Sequence, residues 1–211
     1  MELQQCIQNR RSVRKYKEQE VPNELVCEIL EMARLAPSAY NAQNWRFIII
    51  TEKNKKKEIS EACFSQHWIS EAPMLIVVCN FHKRLRDMHK DKGMLFSTQN
   101  CAIISSYIQL LAVERGLGTC WVGAFNPEEL NRIIHSPILQ VPADVKVEAV
   151  LTLGFPDDKK HEGHIRNEFN NFCYFDKWGS KDAKVEKAGI TEKVKKKTGF
   201  FKDLFSIKVR E

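Results

Sequence analysis

The chain alternates continuous apolar runs with amphipathic ones, and the period of each predicts an element. Residues 2–8 read as a short first helix. In VPNELVCEILEMARLAPS, Leu25, Ile29, Met32 and Ala36 recur at spacings of four, three and four. That is the period of a helix that starts near Pro22, ends before Pro37 and turns those residues inward. WRFIIIT (45–51) is an expected strand, EKNKKKEISEAC (52–63) a polar surface helix, and APMLIVVCN (72–80) a second strand. The last shows no polar alternation, so it belongs at the centre of a sheet with both faces covered.

HKRLRDMHKDK (82–92) is strongly charged and reads as a mobile segment, after which the longest helix runs from Gly93 to about Arg115. Met94, Leu95, Ile103, Ile104, Tyr107, Ile108, Leu110, Leu111 and Val113 leave that helix little polar face. It is therefore expected to be buried inside the domain or across a dimer. GLGTCWVGAF (116–125) leads into a third strand, NPEELNRIIH is a helix, and VKVEAVLTLGF (145–155) a fourth strand. The alternation is that of an α/β-type layered domain, and periodicity leaves strand order and direction open.

Composition narrows the class. With 211 residues, 43% of them apolar, the chain suits one domain or a domain with an extension. The longest clean apolar stretch, PMLIVVC (73–79), is too short to span a bilayer, and the opening MELQQCIQNRR has no signal-like apolar core. The expectation is a soluble, cytoplasmic protein. Seven cysteines are scattered with no C-x-x-C pair, which points to reduced thiols and away from zinc or an iron–sulfur cluster. Cys120, beside a glycine motif, reads as a small core filler ahead of a nucleophile. The six histidines are dispersed and read as surface residues. Of the net charge of +6, +5 falls in the last 32 residues. A body at 1–179 is thus followed by a basic extension at 180–211, and no nucleic-acid groove is expected in the body. Phe200, Phe201, Leu204, Phe205 and Ile207 let that extension wrap a partner subunit or lie on an anionic surface. Wrapping is preferred, because so few apolar residues give weak membrane attachment.

No G-x-G-x-x-G follows a first strand, and no phosphate-binding Walker loop, H-E-x-x-H or G-x-S-x-G occurs. Four polar or glycine clusters stand at element edges instead: RRSVR (10–14), APSAYNAQNW (36–45), GLGTCWVGAF (116–125), and LGFP (153–156) followed ten residues later by Arg166. A charge run alone is usually a solvated face, and Ser38 and Asn41 alone read as a helix end and a turn.

In that order and spacing the four clusters resemble the FMN-dependent nitroreductase family, which includes flavin reductases and iodotyrosine deiodinase. The resemblance covers residues 5 to 178. It implies an α+β fold, a three-layer sandwich with a central mixed sheet of about four to five strands flanked by helices, as an intertwined homodimer. FMN carries a phosphate of about two negative charges, which arginine forks hold by bidentate, charge-assisted bonds. By resemblance Arg10 and Arg11 would take that phosphate with Arg166, and Ser12 would add a hydroxyl. Arg14 would stand near the pyrimidine edge of the ring, where positive charge favours the anionic reduced flavin. Pro37, Ser38, Ala39, Asn41 and Gln43 would cover the partner's flavin, so each site would be shared across the interface. Trp121, Val122 and Gly123 match the positions beside the ring, although Trp121 reads equally well as plain core. Asn44 departs from the family, which often has proline there, and this bears on loop stiffness.

The activity implied is hydride transfer from NADH or NADPH, through flavin N5, to an electron-poor acceptor such as a nitroaromatic or quinone. No protein acid or base is assigned. The alternative is an FMN store or redox sensor without turnover.

Overall fold

The computed structural model describes residues 1–136, 139, 141–157 and 166–180. The basic extension expected at 180–211 falls almost entirely outside them. Two compact units divide the chain, one over 1–161 and one over 162–211.

The first unit is built on four strands: β1 (Trp45–Ile50), β2 (Met74–Phe81), β3 (Gly118–Val122) and β4 (Val145–Gly154), in the order β1-β2-β4-β3. The fold is α+β, and all three strand pairs are antiparallel. The mixed character expected of the sheet is confined to its rim, where Ser12 makes a single parallel bridge to Thr119. Seven of the eight β2 residues are buried, as its unbroken apolar run predicts. One core cluster joins β2 residues Met74, Ile76 and Val78 to helices α2 (Asn23–Ala33) and α5 (Lys83–Glu114). The other joins Leu75, Val77 and Cys79 to α3 (Lys53–Ala62), α4 (Trp68–Glu71) and α6 (Pro127–Ile134). Helices therefore cover both faces of the sheet, giving three layers.

Three expectations need correction. In α2 the inward face is Val26, Ile29 and Ala33, and Met32 is 49% exposed, because the stripe lies one position away from the one the spacing suggested. The charged segment 83–92 is helical, and α5 contains a break at Lys90 (φ 49°, ψ −125°). There the chain turns back, so that a Cβ on Gly93 would collide with the Leu85 carbonyl; only glycine permits that approach. His82 is buried, not on the surface, with its Nε2 accepting from Arg86 Nη1 at 3.2 Å.

The N-terminal segment closes the free edge of β3. Helix α1 (Leu3–Asn9) ends at Arg10, the Val13 amide donates to the Thr119 carbonyl at 2.9 Å, and Lys17 donates to Phe155 at 2.9 Å. Tyr16 Oη lies 2.6 Å from both the Val13 carbonyl and Thr152 Oγ1. Gly118 makes room for this: a Cβ there would stand 2.7 Å from Val13 Cγ2.

In the second unit, Phe169 and Phe172 meet edge to face at 5.5 Å and Tyr174 packs on Trp178 at 4.9 Å. No described helix is long and apolar enough to cross a membrane.

Replacing Gly118 with Ala should lower stability by about 1–3 kcal/mol, because Val13 must move away from the sheet edge. A chemical-denaturation midpoint equal to wild type would show that the edge accommodates the methyl group.

Candidate active site

RRSVR is anchored to the sheet before its side chains do anything. Because Ser12 and Val13 are held against Thr119, the neighbouring arginines start from fixed backbone. A cavity of about 420 Å³ opens between this segment, α1, α5 and β3. Arg10, Ser12 and Trp121 line it, with Ile7 from α1 and Ser106, Gln109 and Leu110 from α5. Arg10 Nη1 donates to Gln109 Oε1 at 3.5 Å, a long bond that leaves most of the guanidinium fork available. Arg11 is half-buried and does not line the cavity.

Arg14 is exposed, with its guanidinium 5.5 Å from the centroid of the Trp68 ring. Trp68 was not singled out by the sequence. Its segment is also tied to the third motif, since Gln66 Nε2 donates to the Ala124 carbonyl at 3.4 Å.

Trp121 is 37% exposed, which excludes the plain-core reading left open by the sequence. Gly123 permits the indole to lie across the strand end, for a Cβ there would meet Trp121 Nε1 at 3.0 Å. Val122 is buried in the core, so its side chain is committed to packing and only its backbone remains for a ligand.

Cys120 sits behind this wall, 1% exposed. Burial pushes its thiol upward; the Arg14 charge, a hydrogen bond with Ser12 and the Arg10 charge pull the other way without reversing the shift. The same loss of solvation raises Cys63 to about 11 and Cys79 to about 12. These three buried thiols are packing groups.

The second motif lies elsewhere on the chain. Pro37, Asn41 and Gln43 are exposed, and Ser38 and Ala39 half-buried. Tyr40, Asn41 and Gln43 adopt left-handed backbone at φ 54°, 48° and 44°. Internal bonds hold the turn: Gln43 N donates to Ser38 Oγ at 3.2 Å, and Gln43 Nε2 to Asn41 Oδ1 at 3.0 Å. The Ala39 amide is taken by Asn100 Oδ1 of α5 at 2.9 Å, so it is not free for a ligand. Tyr40 stacks on His89 at 4.5 Å. None of residues 37–43 lines the cavity that holds Arg10, Ser12 and Trp121. Arg166 is exposed in the second unit.

Gln109 and Ser106 were missed because a buried helix was read for its apolar residues. The available signal was a glutamine interrupting the run IQLLA.

A larger hollow of about 650 Å³ is lined by Lys17, Glu18, Glu20, Lys56 and Glu71 among others. Lys56 is nearly buried there and donates to the Ala72 and Pro73 carbonyls at 2.7 and 3.2 Å. With both signs of charge and none of the four motifs, it is not the candidate site.

The chain belongs to the Nitroreductase family, whose model matches residues 7–70 and 62–155. A relative in Archaeoglobus fulgidus, carrying the provisional name NADH dehydrogenase/NAD(P)H nitroreductase, is 32% identical over 180 residues, 83% of this chain and 100% of its own. An FMN reductase [NAD(P)H] of Bacillus subtilis is 30% identical over 172 residues, 75% of this chain and 67% of its own. Among solved structures, an FMN-dependent nitroreductase of Clostridium difficile is 27% identical with a TM-score of 0.68, over 82% of this chain and 98% of that one.

At pH 8 an alkylating reagent should modify the exposed Cys27 and leave Cys120 and Cys79 untouched until the protein is unfolded, as peptide mass spectrometry would show. Rapid labelling of Cys120 in the folded protein would return it to the list of reactive groups.

Proposed function

We propose that this chain is an FMN-dependent oxidoreductase that moves electrons from NADH or NADPH to an electron-poor small molecule such as a nitroaromatic or quinone. The observation that carries the reading is the cavity beside the sheet edge, where Arg10, Ser12 and an exposed Trp121 converge.

The donor set suits FMN. Arg10 and Ser12, with Arg11 next to them, offer forked and hydroxyl donors for a phosphate. Trp121 and the open backbone at Gly123 offer a flat apolar wall for the ring, and about 420 Å³ is within the usual range of cofactor sites. Arg14 would place positive charge at the ring edge, with Trp68 steadying its guanidinium. Bound FMN would supply the two-electron relay; the chain's own part is binding, orientation and exclusion of water.

The reading also calls for a homodimer with two shared sites. Leu95, Ile103 and Tyr107 are exposed along α5 at 56%, 37% and 41%. Asn100, which holds the Ala39 loop, and Gln109, which holds Arg10, are nine residues apart. That spacing puts them about 180° apart around the helix and about 13 Å apart along it, on opposite flanks of this apolar face. A two-fold partner packed on the face would bring the loop flank of one subunit to the cavity flank of the other. Pro37, Ser38, Ala39, Asn41 and Gln43 would then cover the partner's FMN. Ile103→Glu should convert the dimer to monomer on a sizing column and lower FMN retention with it; a dimeric variant would place the interface elsewhere.

FMN titrated into the purified protein should bind and give steady NADH or NADPH oxidation once a quinone is added. A protein that takes up no FMN would refute the function, and one that binds FMN but does not cycle would be a store or sensor. Arg10→Ala should weaken FMN binding roughly tenfold or more, by loss of a charge-assisted bond from a residue that lines the cavity, with the far-ultraviolet circular dichroism unchanged.

A further inference from the structure

Three asparagines outside the four motifs' assigned roles form a single buried chain of amides. The Ala39 amide donates to Asn100 Oδ1 at 2.9 Å, and Asn100 Nδ2 donates to Asn44 Oδ1 at 2.6 Å. Asn44 Nδ2 donates to Asn80 Oδ1 at 2.8 Å, and Asn80 Nδ2 donates to Glu148 Oε1 at 2.6 Å. Asn44, Asn80 and Asn100 are 4%, 0% and 1% exposed. The second Asn44 proton goes to the Ser97 carbonyl at 3.1 Å, and Thr98 Oγ1 adds a donor to Glu148 Oε1 at 3.2 Å.

Every link points the same way. The chain begins at a backbone N–H, which can only donate, and ends at a carboxylate, which as an anion can only accept. The two ends therefore fix the orientation of all three carboxamides, and each bond polarises the next. The relay crosses the sheet layer from β4 through β2 to the entrance of β1, then α5, and ends on the loop whose residues 40, 41 and 43 hold left-handed backbone. Such backbone is uncommon for residues other than glycine and persists only where its surroundings over-determine it.

We propose that Asn44, Asn80, Asn100 and Glu148 are positioning residues: they fix the 37–43 loop in the conformation in which it covers the cofactor and shapes access for the electron acceptor. This rests on the covering role proposed above for that loop.

The test uses the full chain incubated with FMN and two variants. Asn44→Asp replaces a donor by an acceptor facing Asn80 Oδ1 and the Ser97 carbonyl. Asn100→Ala removes the acceptor of the Ala39 amide and serves alone if the first variant does not fold. Hydrogen exchange at residues 39–43 should accelerate about three- to tenfold in each, the effect of one lost hydrogen bond, and no further in the double variant, because both cut one chain. Exchange at residues 75–79 should stay at the wild-type rate. With FMN content unchanged, the KM for a quinone should rise more than kcat falls. Unchanged exchange in the loop, additive effects, equal acceleration in β2, or unaltered kinetics beside a loosened loop would each overturn the proposal. A wild-type chain that takes up no FMN would instead remove the function proposed above, and the exchange comparison would still decide whether the relay holds the loop.

Discussion

An open strand edge leaves a row of unpaired N–H and C=O groups, and the outer edge of β3 has to be covered. Ser12 and Val13 cover its first residues, bonding to Thr119 while Val13 presses against the bare backbone of Gly118, and Lys17 continues the contact onto Phe155, just past the end of β4. The arginines that flank it are thereby rooted in the sheet although they precede every strand in the sequence. Their charge also reaches inward, where Arg14 and Arg10 offset part of the burial that raises the Cys120 thiol. Fold and candidate site thus share one piece of chain, and a change that loosens the edge displaces both.

Helix α5 is the second organiser. Its buried arc carries Ile104, Ile108 and Ala112 into the core, and at the two borders of that arc stand Asn100 and Gln109. One border receives the Ala39 amide and the other the Arg10 guanidinium. Because these borders lie on opposite flanks, the proposed covering of the cavity by a 37–43 loop would call on the loop of a second copy. The exposed residues between them, Leu95, Ile103 and Tyr107, are what an isologous contact would bury.

The strands, and most of the helices, were legible because period and length separate a continuous apolar run such as MLIVVC from an amphipathic one. The 83–92 segment was not. Its charges describe the solvent side of a helix, and its reversal depends on a contact between Gly93 and Leu85 that no local pattern records. Met32 failed for a related reason, since Leu25-Ile29-Met32 and Val26-Ile29-Ala33 both satisfy a helical period and only the packing partner chooses. Of the residues that motif order singled out, Arg10, Ser12 and Trp121 line the cavity, which also takes in Gln109, Ser106 and Ile7, residues that lie in no motif. Asn44 shows the limit most clearly. As a letter it was a missing proline, yet in space it joins Asn80, near the end of an apolar strand, to Asn100, the last residue of the polar stretch STQN.

The chemistry of the cavity walls limits what the protein itself can contribute. They are a guanidinium, two hydroxyls, an amide and apolar or indole side chains, from Arg10, Ser12, Ser106, Gln109, Ile7, Leu110 and Trp121. The nearest thiol, Cys120, is held protonated by burial. On the proposed reading the covering loop adds the hydroxyl of Ser38, the amides of Asn41 and Gln43, and the phenol of Tyr40, whose ring is stacked on His89. Among the described residues that line the cavity none is a carboxylate, imidazole or thiol, so on the proposed reading the protons consumed in reducing an acceptor would come from solvent, nucleotide or cofactor, or from Tyr40 of the covering loop. On that reading such a site would select its acceptor by shape and by the positive field of its arginines, which would favour flat, electron-poor molecules over ones that need a protein proton at a defined atom.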